Sequence, residues 1–183
     1  AARTGDIQTI KTLLARGADV NAREGTRDQT ALMWAAAEGH AEAVRVLVEA
    51  GADTRALSTE REYKKIVIVG SYQRSHDLKE TIRFTPLMFA IRGGHIPAVR
   101  ALLDAGVDVN EKLPDGTGAL IMATVNAHWE LGALLLDWGA DPNAADGGWT
   151  ALHQIARTRS LTISHLPEPV ATGHLTSLDL AKK

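Results

Sequence analysis

Cysteine is absent from the 183 residues of the chain. That excludes disulfides, a thiol nucleophile and thiolate metal sites, though it names no compartment. Aromatic residues are scarce at 4%, while apolar residues together reach 45%. Small and aliphatic side chains must therefore do the packing, which suits closely spaced helices. Charge of neither sign dominates: the formal net charge is −2, which gives no global case for binding nucleic acid or an anionic membrane. No apolar run approaches the roughly 20 residues that cross a bilayer.

What the chain does have is a recurring tripeptide. Gly17-Ala18-Asp19, Gly51-Ala52-Asp53 and Gly139-Ala140-Asp141 share it, with Gly106-Val107-Asp108 as a variant. The glycines are 34, 55 and 33 residues apart, and 55 is 33 plus 22. A period in the thirties means one small unit stacked several times. Such a stack has surface rather than a closed pocket, which points towards holding a partner.

Aligned on these glycines, the positions acquire physical reasons. Thr30, Thr85 and Thr150 are predicted helix N-caps, each hydroxyl accepting from an unpaired backbone N–H. Pro86 sits at a first helical position, where its missing N–H costs nothing. Gly118 replaces the cap in one unit. Gly39 and Gly94 allow a tight turn between two short helices, and Gly17, Gly51, Gly106 and Gly139 supply the left-handed residue ending the second helix. On that helix Val44, Leu47 and Val48 share one face, as do Val99, Leu102 and Leu103. One unit cannot bury such a stripe alone; its neighbours must cover it.

The motif Thr-Pro-Leu-His-x-Ala, then Gly-His, then Leu-Leu-x-x-Gly-Ala-Asp, resembles the ankyrin repeat. It departs from that family at Met33, Met88 and Ile121, where only His153 matches the motif's histidine. The resemblance implies an all-α solenoid of stacked antiparallel helix pairs with short β-hairpin fingers. It also implies a concave binding surface lined by the fingers and first helices. The expected units of this single 1–183 domain are about 1–23, 24–57, 81–113, 114–146 and 147–183. The chain opens at Ala1 within a repeat and is expected to be a monomeric segment of a longer array.

Two insertions interrupt the period. The first, about 59–80, carries Ile66 to Val69, a short β-branched run that reads as a strand. It falls at a finger and either extends the concave face or is a tolerated surface loop. The second, about 159–175, holds Pro167 and Pro169 and reads as a loop without a helix. Leu178 to Lys182 then resume a second helix, with Lys182 level with Lys11, Arg45 and Arg100.

Chemistry finds little support. Ile66 to Ser71 lacks the spacing of a phosphate loop. His40, His95 and His128 fall at the turn between helices and His153 in the cap motif, where structural hydrogen bonds are expected. His76, His165 and His174 lack the paired spacing of a zinc site. Arg61, Lys64, Lys65, Arg74, Lys79 and Arg83 gather near Tyr63 and Tyr72, but four acids dilute them to a local +2, weak for a nucleic-acid reader. No catalytic residue, metal or cofactor is expected.

The residue before each cap is Gln29, Phe84, Thr117 and Trp149 in turn, a position that projects from the finger in ankyrin-like repeats. Phe84 and Trp149 are either interface anchors or packing beneath the insertions. Near the end of the first helices, Glu38, Arg92, Val125, Asn126 and Arg157 vary while the framework repeats. Trp34, Phe89 and Met122 are read as core, Trp129 as packed against the next unit and Trp138 as partly exposed. The resulting expectation is a non-catalytic protein-interaction module with Phe84, Arg92, Asn126, Trp149 and Arg157 as partner contacts. The alternatives are a substrate-recruiting arm of an enzyme whose catalytic domain lies outside 1–183, and a structural spacer.

Overall fold

The computed structural model describes residues 1–59, 61–65, 78–146, 148–160 and 173–183. A 3-10 turn, Ala2–Thr4, precedes α1 (Ile7–Ala15), α2 (Ala31–Ala37) and α3 (Ala41–Glu49). Strands β1 (Arg61–Lys65) and β2 (Leu78–Ile82) follow, then α4 (Pro86–Arg92) and α5 (Ile96–Asp104). The remainder is α6 (Ala119–Val125), α7 (Trp129–Asp137), β3 (Ala145–Asp146), β4 (Trp149–Thr150), α8 (Ala151–Ser160) and α9 (Ser177–Ala181).

α-Helices of five to ten residues alternate with turns, and pairing follows the repeat. α2 packs on α3, α4 on α5, α6 on α7 and α8 on α9. Between units, α2 touches α4, α4 touches α6 and α6 touches α8, forming an inner row. Behind it, α1 meets α3, α3 meets α5, and α7 meets α9. Isolated helices this short are marginal in water, so their stability comes from packing. Leu32, Leu87, Val44, Val99, Leu102 and Leu135 are fully buried, with Leu47 at 2% exposure. This is the all-α stack of helix pairs that the resemblance to ankyrin repeats implies.

The caps work as the sequence predicts. Thr30 Oγ1 accepts from the Met33 N–H at 3.3 Å, and Thr85 Oγ1 from the Met88 N–H at 3.3 Å. The methionine in place of histidine at position 33 has a physical account. Its Sδ accepts from the Thr30 N–H at 3.5 Å, the bond that His153 Nδ1 makes to the Thr150 N–H at 3.4 Å.

Short two-stranded links stand before the inner helices: the Arg23–Thr30 and Lys112–Gly118 bridges and the β3–β4 pair. Before α4 the link is opened by the first insertion. Ser58 N–H donates to the Phe84 carbonyl and Phe84 N–H to Ser58 Oγ, both at 3.1 Å. From there β1 and β2 pair antiparallel, with Arg61 opposite Ile82 and Lys65 opposite Leu78. The strand expected over Ile66 to Val69 lies outside the described residues, as do His76, His165, Pro167 and Pro169.

One expectation needs correction. α8 reaches Ser160, at the start of the second insertion placed at about 159–175. The last helix sits one residue off the expected register. Its N-cap is Thr176, whose hydroxyl accepts from the Asp179 N–H. Counting from the caps, Leu180 is level with Ile10, Val44 and Val99, and Ala181 rather than Lys182 is level with Lys11. The physical reason is a socket. Gly132 stands in α7 where α3 and α5 carry valine, and a Cβ there would meet Leu180 Cδ2 at 2.9 Å.

Candidate partner-binding face

The solvent side of α2, α4 and α6 carries a row of large side chains. Trp34, Phe89 and Met122 occupy the fourth position of their helices, and each is half-buried. The same helices bury Leu32, Leu87 and Leu120 on the opposite side. The row was expected to be core; it is instead the boundary between core and solvent. Periodicity alone did not reveal this, because a position flanking the buried stripe carries the same apolar letters as the stripe itself.

Around this row the expected contact residues fall into different classes. Phe84 is corrected: at 6% exposure it is core, not a projecting anchor. Ser58 grips its backbone from both sides, and its ring lies 5.3 Å from that of Phe89. Arg92 is exposed and places its guanidinium carbon 5.2 Å from the Phe84 ring centroid. Asn126 is half-buried and turns back on its own helix, its Nδ2 donating to the Met122 carbonyl at 2.8 Å and lying 3.5 Å from Met122 Sδ. Trp149 is 45% exposed and meets His153 edge-on at 5.9 Å between ring centroids. Arg157 lies on α8, and its side chain falls outside what the structure describes.

Other exposed apolar groups add to the face. Val125, at the end of α6, is 48% exposed. At the other end of the row, Arg3 lies 5.0 Å over the Trp34 ring and 3.3 Å from Glu38 Oε1. Trp129, by contrast, is buried with Ile155 and Leu180, and Trp138 is 38% exposed, both as expected.

The three histidines of the turns between helices bond within the scaffold. Nε2 of His40, His95 and His128 lies 3.0 to 3.1 Å from the carbonyls of Arg3, Ala37 and Arg92, each one unit back. Among the described residues no group of three His, Asp or Glu is placed to hold a metal ion. Nor is any described helix long and apolar enough to cross a membrane.

One acid is perturbed upwards. Burial pushes the Glu111 carboxyl above its ordinary value, partly offset by the Thr85 hydroxyl, which donates to Glu111 Oε1 at 2.5 Å. A cleft of about 390 Å³ opens beside it, lined by Arg55, Thr85, Asp108, Glu111 and Lys112 among others. Its charges are mixed, so it has no field of one sign.

The profile of the family described as ankyrin repeats matches this chain three times, over residues 1–112, 61–146 and 87–166. The chain belongs to the ankyrin-repeat family. Among similar proteins is the Caenorhabditis elegans ankyrin repeat and KH domain-containing protein mask-1. It is 30% identical over 186 residues, covering 96% of this chain and 7% of the relative. The Arabidopsis thaliana E3 ubiquitin-protein ligase KEG is 26% identical, covering 82% of this chain and 9% of the relative. The human mitochondrial disaggregase is 27% identical, covering 88% and 23%. The chain thus spans less than a tenth of the first two relatives. Ankyrin repeats are protein-interaction modules. The repeat fold is typically non-catalytic, and the ligase and disaggregase names belong to much longer proteins.

Proposed function

We propose that this ankyrin-repeat stretch holds a protein partner along the solvent side of α2, α4 and α6 and the adjoining fingers. One observation carries the reading: Trp34, Phe89 and Met122 stand in register, half-exposed, on three successive helices of one rigid row. Their cores are fully packed, so little order has to be gained on association. Arg92, Asn126, Trp149 and Arg157 border this row as contacts, and Phe84 supports it from below. In this reading the units are about 1–23, 24–57, 81–113, 114–146 and 147–183.

The test is affinity capture with the 183-residue chain and two variants. Val125→Glu puts a charge beside the row, while Arg100→Ala alters the exposed side of α5. Partners retained by Arg100→Ala and lost by Val125→Glu support the face. Partners indifferent to Val125→Glu and to Trp149→Ala would place binding elsewhere.

A second reading is favoured by the relatives named as a ubiquitin ligase and a disaggregase, of which this chain spans 9% and 23%. There the face recruits a substrate for a catalytic part outside residues 1–183. Captured proteins that are modified or remodelled by the parent protein, and spared when the parent carries Val125→Glu, distinguish this reading.

A further inference from the structure

Among the described residues, two arginines of the proposed face lie over aromatic rings, and of these Arg3 alone has a carboxylate partner. Arg3 covers Trp34 at 5.0 Å and pairs with Glu38 at 3.3 Å. Arg92 covers Phe84 at 5.2 Å, and among the described residues no carboxylate lies within ion-pairing distance of it. We propose that Arg92 reads a carboxylate on the partner, so that the bound segment carries Asp or Glu next to an aromatic or branched apolar side chain. This rests on the face described under Proposed function.

The guanidinium is presented from a fixed platform. Its own backbone carbonyl lies 3.1 Å from His128 Nε2. The ring beneath it is buried, held at both backbone groups by Ser58 and packed on Phe89. An arginine stacked on a ring keeps its N–H fork free at the edge, which matches the two oxygens of a carboxylate.

The surroundings select for an acid beside an apolar group. Ala37, Arg92 and Val125 hold the same, seventh position of α2, α4 and α6. The cation therefore stands between two apolar neighbours, with Phe89 and Met122 one turn back. A partner that covers these side chains removes water from around the guanidinium, and an ion pair then counts for more than at an open surface. Leaving the cation covered and unpaired would cost binding, so an apolar segment without an acid is disfavoured. Arg157 holds the equivalent position of α8, two units along, so one guanidinium meets the bound group between Ala37 and Val125, which suits a carboxylate rather than a doubly charged phosphate. The whole chain, at −2, offers no general attraction for acids, so the preference is local to Arg92.

Geometry sets the size of the probe. Three helices spaced by roughly 10 Å span about 20 Å, which six or seven extended residues cover at about 3.3 Å each. A phage-displayed random library of peptides about ten residues long is therefore selected on the 183-residue chain and on Arg92→Glu, Arg92→Lys and Val125→Glu. Melting curves check that each variant folds. Wild type enriches peptides with Asp or Glu adjacent to Phe, Trp, Leu or Ile. Arg92→Glu weakens these peptides by about tenfold or more and enriches Lys or Arg in the acid's place. Arg92→Lys keeps the acid preference with lower affinity, because the ammonium lacks the planar fork.

Peptides without acid enrichment, or acidic peptides whose affinity survives Arg92→Glu, overturn the proposal. If Val125→Glu abolishes binding while Arg92→Glu does not, the charge reading alone fails. If neither variant matters, or nothing is enriched, the face itself is wrong.

Discussion

At the scale of single residues, glycine and histidine act as partners across units. Gly5, Gly39 and Gly94 all have positive φ, between 66° and 75°, and a Cβ on each would lie within 2.7 to 2.8 Å of the ring of His40, His95 or His128 respectively. The glycine thus serves two purposes: it makes the turn and leaves room for the next unit's imidazole. Ala127 stands in the same turn of the fourth pair at φ 56°, and α9 after it opens on Thr176 instead of a histidine. Gly39→Ala should cost about 2–4 kcal/mol, from strain at positive φ plus the clash with His95. Gly17→Ala, at φ 84° with open space around the added methyl, should cost only about 1–2 kcal/mol. In a His95→Ala background the cost of Gly39→Ala should fall to that of Gly17→Ala; thermal melts of the double-mutant cycle read this directly. An unchanged cost would mean that the ring and the glycine are not coupled. Phe84→Ala belongs to the same scale. Its burial predicts a loss of about 3–5 kcal/mol, so it cannot serve as a test of binding, whereas Trp149→Ala can.

At the scale of elements, caps and sockets decide where each helix starts and what it touches. The Thr caps and the Pro86 start were legible because capping is local chemistry, written in adjacent letters. The Gly132 socket was not, since it depends on Leu180, some 48 positions away, filling the space of a missing side chain. That non-local fit is why the last helix came out one residue off. Gly132→Val restores the residue type of α3 and α5 but fills the socket. It should release α9 from α7 and speed amide exchange over 177–181, leaving exchange in α4 unchanged. Equal protection of α9 in the variant would mean that the Lys183–Asp137 contact, not Leu180, holds it. The half-exposed row of Trp34, Phe89 and Met122 was missed for a related reason: sequence period fixes a helix's face only to within one side chain. Glu111 extends the argument to pH. Its carboxyl titrates above the ordinary 4.5 because burial disfavours the charge. The neutral form therefore favours folding, and that contribution, complete below 4.5, is lost as pH rises through the folded-state value. Glu111→Gln should melt higher than wild type at neutral pH and converge with it below about pH 4. Asp6, Glu24 and Asp179, lowered by bonds to nearby hydroxyls and N–H groups, act in the opposite direction and do so equally in both proteins. A variant that melts lower at neutral pH would show that the Thr85–Glu111 bond outweighs the burial.

At the scale of the whole molecule, one leucine position shows how a stack distributes its stability. Leu32, Leu87, Leu120 and Leu152 each hold the second position of an inner helix, and their exposures are 0%, 0%, 5% and 62%. The residue type and local helix are constant, so what changes is the neighbour. The first three lie on helices that pack against the next inner helix, α2 on α4, α4 on α6 and α6 on α8. At Leu152 a cavity of about 220 Å³ opens instead, shared with Leu120, Ile155 and Leu180. Burial in such a stack is a property of interfaces between units, and stability is a sum over those interfaces rather than over the units. Leu87→Ala should therefore cost about 2–5 kcal/mol, whereas the chemically identical Leu152→Ala should stay within about 0.5 kcal/mol. Urea unfolding of the two variants checks this. Because loss of an internal interface splits the stack, Leu87→Ala should also broaden the transition or divide it in two, while Leu152→Ala should leave its slope unchanged. Equal losses at the two positions would mean that the helices are held by their own pairs, with little contribution from stacking. The face of α2, α4 and α6 would then lose the rigidity on which its partner binding depends.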